Sequence, residues 1–295
     1  MSLHESLEQP FRPNFSRTIR LSWLNLTWLK RYRALLIPGL ILGLIVFAGL
    51  FAPLVAPYDP NAIDIGNALS APSWEHWLGT DQLGRDYFTR VLYGGQTTLF
   101  LAGFSTLVVI AIGLAVGLIS GYVGGAVDTV ISTCLTVLLA LPNLLLTLAI
   151  LGILGPSNQT LLIALIGAGW VGHARVFRAS VLSLREQVYI EAAKALGFSP
   201  WRIMFRQLLP NLLPTVVVLA TLDIGAFLLL ISSLSFLGLG SQPPAADWGV
   251  MLSDARPYFT QVPMLVFAPG VLITLVVLTC NLLGDAIRDL VDLKR

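Results

Sequence analysis

The sequence predicts an all-α integral membrane protein with about six transmembrane helices. Three observations carry that expectation. Of 295 residues, 56% are apolar and only 12% are charged, and the mean hydropathy is +0.80, a composition from which no water-soluble surface can be built. Several stretches without Asp, Glu, Lys or Arg exceed the roughly 20 residues a helix needs to cross a hydrocarbon core about 30 Å thick. The basic residues, finally, are sorted between alternate connecting segments rather than spread along the chain.

Taken in order, Ala34 to Tyr58 holds the first span, near 35–56, and Val91 to Val127 the second, near 97–120. Thr129 to Ala174 is long enough for two spans, near 129–153 and 159–177, divided at Gly155-Pro156-Ser157-Asn158. A fifth span near 211–236 is interrupted only by Asp223, and a sixth lies near 261–284. Residues 1–34 are too long and polar for the n-region of a secretory signal, so they are expected to form a cytoplasmic N-terminal segment before a retained first helix, with residues 35–295 as the membrane domain. Gly113, Gly117, Gly121 and Gly125 recur every four residues and predict a smooth ridge for close helix contact.

With six spans and a cytoplasmic N-terminus, 15 of the 18 basic residues fall on the inner side and only Arg85, Arg90 and Arg256 on the outer. If the span near 159–177 failed to cross, the six basic residues of the loop after it would move outside. The bias therefore supports six crossings with both termini cytoplasmic.

Segment 186–210 is the most informative polar stretch. Residues 189–196 are good helix formers, Gly197 suits a left-handed stop, Ser199 is a natural N-cap and Pro200 fits a first helical position, so a second short helix is expected to run to about Leu209 and end at Pro210. In such a hairpin the small Ala192, Ala193 and Ala195 can enter a partner's groove, with Glu191 and Lys194 at its rim. An amphipathic connector lying on the lipid surface is the plainer alternative.

Several chemistries are excluded. The net charge of +2 offers no large basic field for nucleic acid. The three lysines follow Leu29, Ala193 and Leu293, so none closes a phosphate-binding P-loop, and ATP hydrolysis must come from another polypeptide. His4, His76 and His173 are scattered, and Cys134 and Cys280 lie in apolar runs without a CxxC, so neither a metal site nor a disulfide is expected. No GxSxG or Cys-His couple supports hydrolase chemistry.

The hairpin segment also resembles a known element. Glu191-Ala192-Ala193, then Gly197, then Leu209-Pro210 resemble the conserved loop of bacterial ABC importer permeases, with Gln207 where that family often has Ile. His76 to Asp86, Leu234 to Gly249 and Gly284 to Asp289 are similar to signatures of the peptide and nickel importer group, specifically its second, C-type permease subunit. The resemblance implies a type I ABC importer permease in the bacterial plasma (inner) membrane, crossing it several times. It also implies a homologous second permease, two ATPase subunits that use ATP and Mg, and an extracytoplasmic solute-binding protein. No cofactor is expected on this chain itself. Glu191, Ala192, Ala193, Lys194, Ala195, Gly197, Ser199 and Pro200 would form the ATPase-coupling element. Peptides are the implied solute, and nickel or another metal chelate on the same architecture is the alternative. An ion-driven secondary transporter and a non-transporting scaffold are rival readings.

Two further groups of residues invite a role. Asp223 is the one carboxylate inside a span, where it costs on the order of 3 kcal/mol on insertion scales, so it must meet a partner or line a wet solute path. Asp81, Arg85, Asp86, Asp247 and Asp254 either solvate short surface helices or form the face that receives the binding protein. Arg85 and Asp86 are also candidates for a local pair.

Overall fold

The computed structural model describes the backbone of residues 21–292 and the side chains of residues 33–291. Most of the expected N-terminal segment, residues 1–20, lies outside the described residues. Among the described residues the chain is helical throughout, with no strand and one isolated bridge between Thr80 and Asp86.

Helix α1 spans Leu21–Leu50 and is followed by the short α2, Ala52–Val55. It starts well before the expected position 35, because Lys30, Arg31 and Arg33 end an apolar run without ending a hydrogen-bond ladder. α3, Tyr87–Val123, is 37 residues long, and at the usual helical rise it extends roughly 55 Å, well beyond the hydrocarbon core. Asp86 caps it by accepting from the Thr89 amide at 2.8 Å.

The expected continuous span near 129–153 is in fact two helices, α4 (Gly125–Leu139) and α5 (Asn143–Leu154), bent by 79°. Pro142 lies at the bend; it lacks an amide hydrogen and its ring collides with the carbonyl four residues earlier. α6, Asn158–Arg185, starts on a Ser157 cap that accepts from the Thr160 amide at 3.1 Å. Then come α7 (Val188–Ala195) and α8 (Pro200–Ile203). One π-helical turn, Met204–Leu208, joins α8 to α9, Leu209–Phe236.

Pro210 therefore does not end the second hairpin helix, as the sequence suggested. The wider turn, with the Leu209 amide bonded to the Met204 carbonyl, takes Arg206 out of the α-ladder that Pro210 would otherwise obstruct. Residues 200–236 thus form one continuous rod. α10 (Trp248–Ala255) and α11 (Met264–Asp292) complete the described chain. Among the described residues five helices are long and apolar enough to cross a membrane, six if the bent α4–α5 pair is one span.

The most extensive packing joins α3 to α6. A Cβ on Gly113 would stand 2.6 Å from His173 Cβ, one on Gly117 would stand 2.7 Å from the Ala174 oxygen, and one on Gly121 would stand 2.8 Å from Val181 Cβ. Each is closer than carbon atoms tolerate, so the two backbones approach at a distance that only glycine permits. Gly125 does not continue this ridge; it opens α4 with no atom near its missing side chain. α9 packs against α11 through Gly225, which faces Cys280, and Gly284, which faces Leu222.

Replacing Gly117 with Val is expected to separate α3 from α6 and destabilise the protein by about 1–3 kcal/mol, as overpacking of a filled interior does. Gly172→Ala, with nothing within 4 Å of the new Cβ, is the matched control. Melting of the two variants in detergent, followed by monodispersity on a sizing column, checks the expectation.

Candidate functional site

The residues singled out from the sequence gather in three places: one end of the bundle, the opposite end, and the α6–α9 contact between them. At the first end, segment 60–90 folds back on the start of α3. Asp81 receives the amides of Leu83 (2.9 Å) and Arg85 (3.0 Å), and the Arg85 Nε at 2.6 Å. Arg90 Nε adds a second cation at 3.4 Å, while its Nη1 donates to the Pro60 carbonyl at 3.0 Å. The turn depends on Gly84, whose φ is +73° and whose missing Cβ would fall 1.6 Å from the Asp64 carbonyl oxygen. His76 Nδ1 lies 2.9 Å from Asp86 Oδ1. Arg85 thus pairs with Asp81, and not with Asp86 as its sequence neighbour suggested.

A second segment, more than 150 positions further along, joins this end. Asp247 caps α10, accepting from the amides of Gly249 (2.8 Å) and Val250 (3.2 Å). Its other oxygen faces the hydroxyls of Ser241 at 3.2 Å and Thr98 at 3.4 Å. Ser241 also reaches the Asn158 side chain at 2.6 Å, at the start of α6. The Trp248 indole donates to the Val91 carbonyl at 2.9 Å, with its ring over Gly94 and Gly95. Tyr87 donates its hydroxyl to the Leu265 carbonyl.

Asp81, Arg85, Asp86 and Asp247 are consequently buried, and only Asp254 is half-exposed. They are not a solvated charged face, because four of the five spend their charge on backbone amides and each other. Around them Gln82, Arg85, Arg90, Pro243, Pro244 and Asp254 border a shallow hollow of about 200 Å³ that brings the two segments together. Burial raises the Asp247 carboxyl above the ordinary value of 3.8, against the pull of its amide donors; burial also raises Asp254, against the opposing field of Arg90 and Arg85.

At the opposite end the hairpin is built as a supported knob. α7 closes in a Schellman motif: the Phe198 amide bonds to the Ala193 carbonyl (3.1 Å), and the amide of Gly197, at φ +74°, bonds to the Lys194 carbonyl (3.0 Å). Ser199 then caps α8 through the Arg202 amide at 3.4 Å, and the Arg202 guanidinium lies 4.1 Å from the Phe198 ring centre. Ile190, Ala193, Ile203, Met204 and Leu208 pack on Leu118 of α3 and Val181 of α6. Ala193 therefore faces the protein's own interior and is not available to a partner's groove. Glu191, Ala192, Lys194, Ala195, Gly197, Ser199 and Pro200 are exposed, flanked by outward-facing Val188, Leu196 (74% exposed) and Trp201 (64%).

Sequence reasoning missed the brace behind this knob. Asp128, at the start of α4, holds Arg178 of α6 through two hydrogen bonds of 2.5 and 2.7 Å and accepts from Ser120 at 2.5 Å. Arg185 donates to the Gly121 carbonyl at 3.0 Å. No local signal exposes a pair 50 positions apart. His173 was likewise passed over as scattered, although its Nε2 stands 2.5 Å from Asp223 Oδ2 and its Nδ1 is 3.1 Å from the Gly169 carbonyl oxygen. Its only sequence clue is that an intramembrane carboxylate requires a partner.

Among the described residues, a bundle of five or six apolar helices long enough to cross a membrane, with a supported knob at one end and a buried polar frame at the other, defines the class as a multi-pass membrane protein. Residues 113–295 match the family described as binding-protein-dependent transport system inner membrane component, and residues 22–72 match the N-terminal transmembrane domain of oligopeptide transport permease C. The chain is 41% identical over 266 residues to the dipeptide transport system permease protein DppC of Alkalihalophilus pseudofirmus, covering 90% of this chain and 88% of that one. It is 39% identical, with the same coverage, to the glutathione transport system permease protein GsiD of Escherichia coli. Among solved structures, a chain of the MetNI methionine ABC transporter in an inward-facing conformation superposes with a TM-score of 0.54 at 20% identity, covering 68% of this chain and 96% of that chain, which supports the fold. This chain therefore belongs to the inner membrane components of binding-protein-dependent ABC transport systems, and is a transport subunit rather than an enzyme.

Because the native Asp247 carboxyl titrates above its unfolded value, its contribution to stability is greatest below pH 3.8 and is lost as pH rises through the native value. Asp247→Asn keeps an acceptor for the two amides and removes the titration. The stability of the wild type relative to this variant is expected to fall as pH rises above 3.8, measured as the difference in melting temperature across a pH series.

Proposed function

We propose that this chain forms half of the translocation pathway of an ATP-driven importer of peptides or related small solutes in a bacterial inner membrane. A homologous permease supplies the other half, because six helices from one chain are few for enclosing a solute path. Two cytoplasmic ATPase subunits supply the hydrolysis, and an extracytoplasmic binding protein delivers the solute. Peptide cargo is supported by the relatives, which are dipeptide and glutathione transport permeases. Both termini are placed in the cytoplasm, as residues 1–34 and the charge bias suggest, with the membrane domain at 35–295.

The observation that carries this reading is the hairpin knob. Val188, Leu196, Trp201 and Phe205 face outward beside Glu191 and Lys194, while the inner face of the same hairpin is anchored on α3 and α6. Exposed apolar side chains on a braced, water-facing element are what a docking surface looks like before its partner arrives. Closure of the ATPases pushes the knob, and its packing on Leu118 and Val181 passes the displacement to α3 and α6 together. At the other end, Asp81, Arg85, Asp86 and Asp247 stiffen the outer platform that meets the binding protein, and Asp254 stands at its accessible edge. Asp223 lies on the solute path.

Leu196→Asp is expected to reduce ATP-driven uptake by reconstituted complex at least tenfold while leaving the permease folded, since the side chain supports no internal contact. Uptake into proteoliposomes, with pull-down of the ATPase subunits in parallel, measures it. Transport without ATP by the isolated protein would instead establish an ion-driven carrier. Full ATP-driven uptake by the variant would remove the knob from the coupling path.

A further inference from the structure

We propose that Asp223 is the recognition carboxylate for a cationic amino group on the transported solute, and that His173 is its resident counter-ion, displaced as the solute passes. The proposal rests on the reading that this chain lines a solute path, and it names the chemistry read there.

Four observations carry it. Asp223 lies near the middle of α9, which has no other charged residue, and α3 carries none between Arg90 and its end at Val123. A cation at this depth therefore finds one carboxylate. Both nitrogens of His173 face oxygens, Nε2 at 2.5 Å from Asp223 Oδ2 and Nδ1 at 3.1 Å from the Gly169 oxygen. In the resting site the imidazole therefore occupies one side of the carboxylate, where its protonated form is the counter-ion the proposal invokes.

The other side is open. Oδ2 is sealed from solvent, yet the Asp223 side chain retains 18% exposure and the imidazole 15%, so the accessible surface of the carboxylate belongs to its second oxygen and methylene. A carboxylate has about four lone-pair positions, and the imidazole uses one. A pair that served only to bolt α6 to α9 would gain by closing both oxygens. Lastly, a hollow of about 310 Å³ lies between α9 and α11, with Thr215 and Leu219 in its wall. Leu219 is one helical turn from Asp223 on the same strip of α9, so the hollow lies on the hairpin side of the carboxylate.

An ammonium group arriving from the outer end loses hydration as it enters the apolar path, and the open oxygen of Asp223 replaces the lost contacts. The ammonium and the imidazolium then share one carboxylate and repel each other. The α6–α9 tie loosens in response, so the cargo itself weakens a contact that holds the resting arrangement.

The test uses the complete complex in proteoliposomes and measures ATP-driven uptake of di- and tripeptides, including glutathione, each paired with its N-acetyl derivative. Asp223→Asn is expected to lower the preference for the free amine about tenfold, the size of one charge-assisted hydrogen bond. His173→Gln keeps the carboxylate without its competing cation, so the KM for the free-amine solute is expected to fall while the preference persists. An unchanged free-amine preference in assembled Asp223→Asn complex overturns the proposal and leaves the permease assignment standing, as does an unchanged KM in His173→Gln should the first variant fail to assemble. Absence of ATP-driven uptake of every peptide by assembled wild-type complex overturns the transport reading beneath it.

Discussion

The close approach of α3 and α6 at Gly113, Gly117 and Gly121 is the constraint on which the other contacts depend. In lipid, helices gain little from burying apolar surface against one another, so association relies on dense packing and on polar groups that find partners. Missing side chains on α3 let the α6 backbone sit where His173, Ala174, Phe177 and Val181 fill the seam. From that position α6 presents His173 to α9 and Arg178 to the α3–α4 turn. The same seam ends where Leu118 and Val181 support the hairpin. A wider separation would unseat all three contacts together.

The polar side chains divide into two frames with different physical character. At the end opposite the hairpin the charges are internal and saturated: Asp81 satisfies a turn and two arginines, and Asp247 caps a helix while facing two hydroxyls. Such a frame rigidifies, since each acceptor is committed and its loss would leave buried donors unpaired. At the hairpin end the bracing pair, Asp128 with Arg178, lies behind the knob, and the knob displays exposed apolar and charged side chains. One frame is closed on itself, and the other leaves side chains displayed on a braced support.

Between them, within the spanning helices, the His173 imidazole meets the Asp223 carboxylate. Its position follows from solvation. A lone carboxylate in the span is expensive, so the fold supplies a histidine from the adjacent helix, and the imidazole is oriented by the Gly169 carbonyl oxygen on its far side. The pair is also the ionic contact between α6 and α9, two helices that meet otherwise through apolar packing such as Phe227 against Gly169.

The sequence by itself determined the class. Long apolar runs dictate spanning helices because backbone groups in lipid must bond within their own segment, and the sorted basic residues pointed to an orientation. Local stereochemistry was equally legible: Gly197, Ser199 and Pro200 foretold the hairpin turn, since a left-handed stop, a side-chain cap and a fixed φ are properties of single residues. Only the tertiary structure decided what depends on distant contacts. It buried Asp81, Arg85, Asp86 and Asp247, which a local reading left at the surface, because segment 60–90 folds back on the start of α3 and the segment around Asp247 packs against it. It turned Ala193 inward, bent the chain at Pro142, carried α9 through Pro210 on a π turn, and paired Asp223 with a histidine 50 positions away. Charge and propensity belong to one residue and can be read along a line, whereas burial and pairing belong to two and require the fold that brings them together.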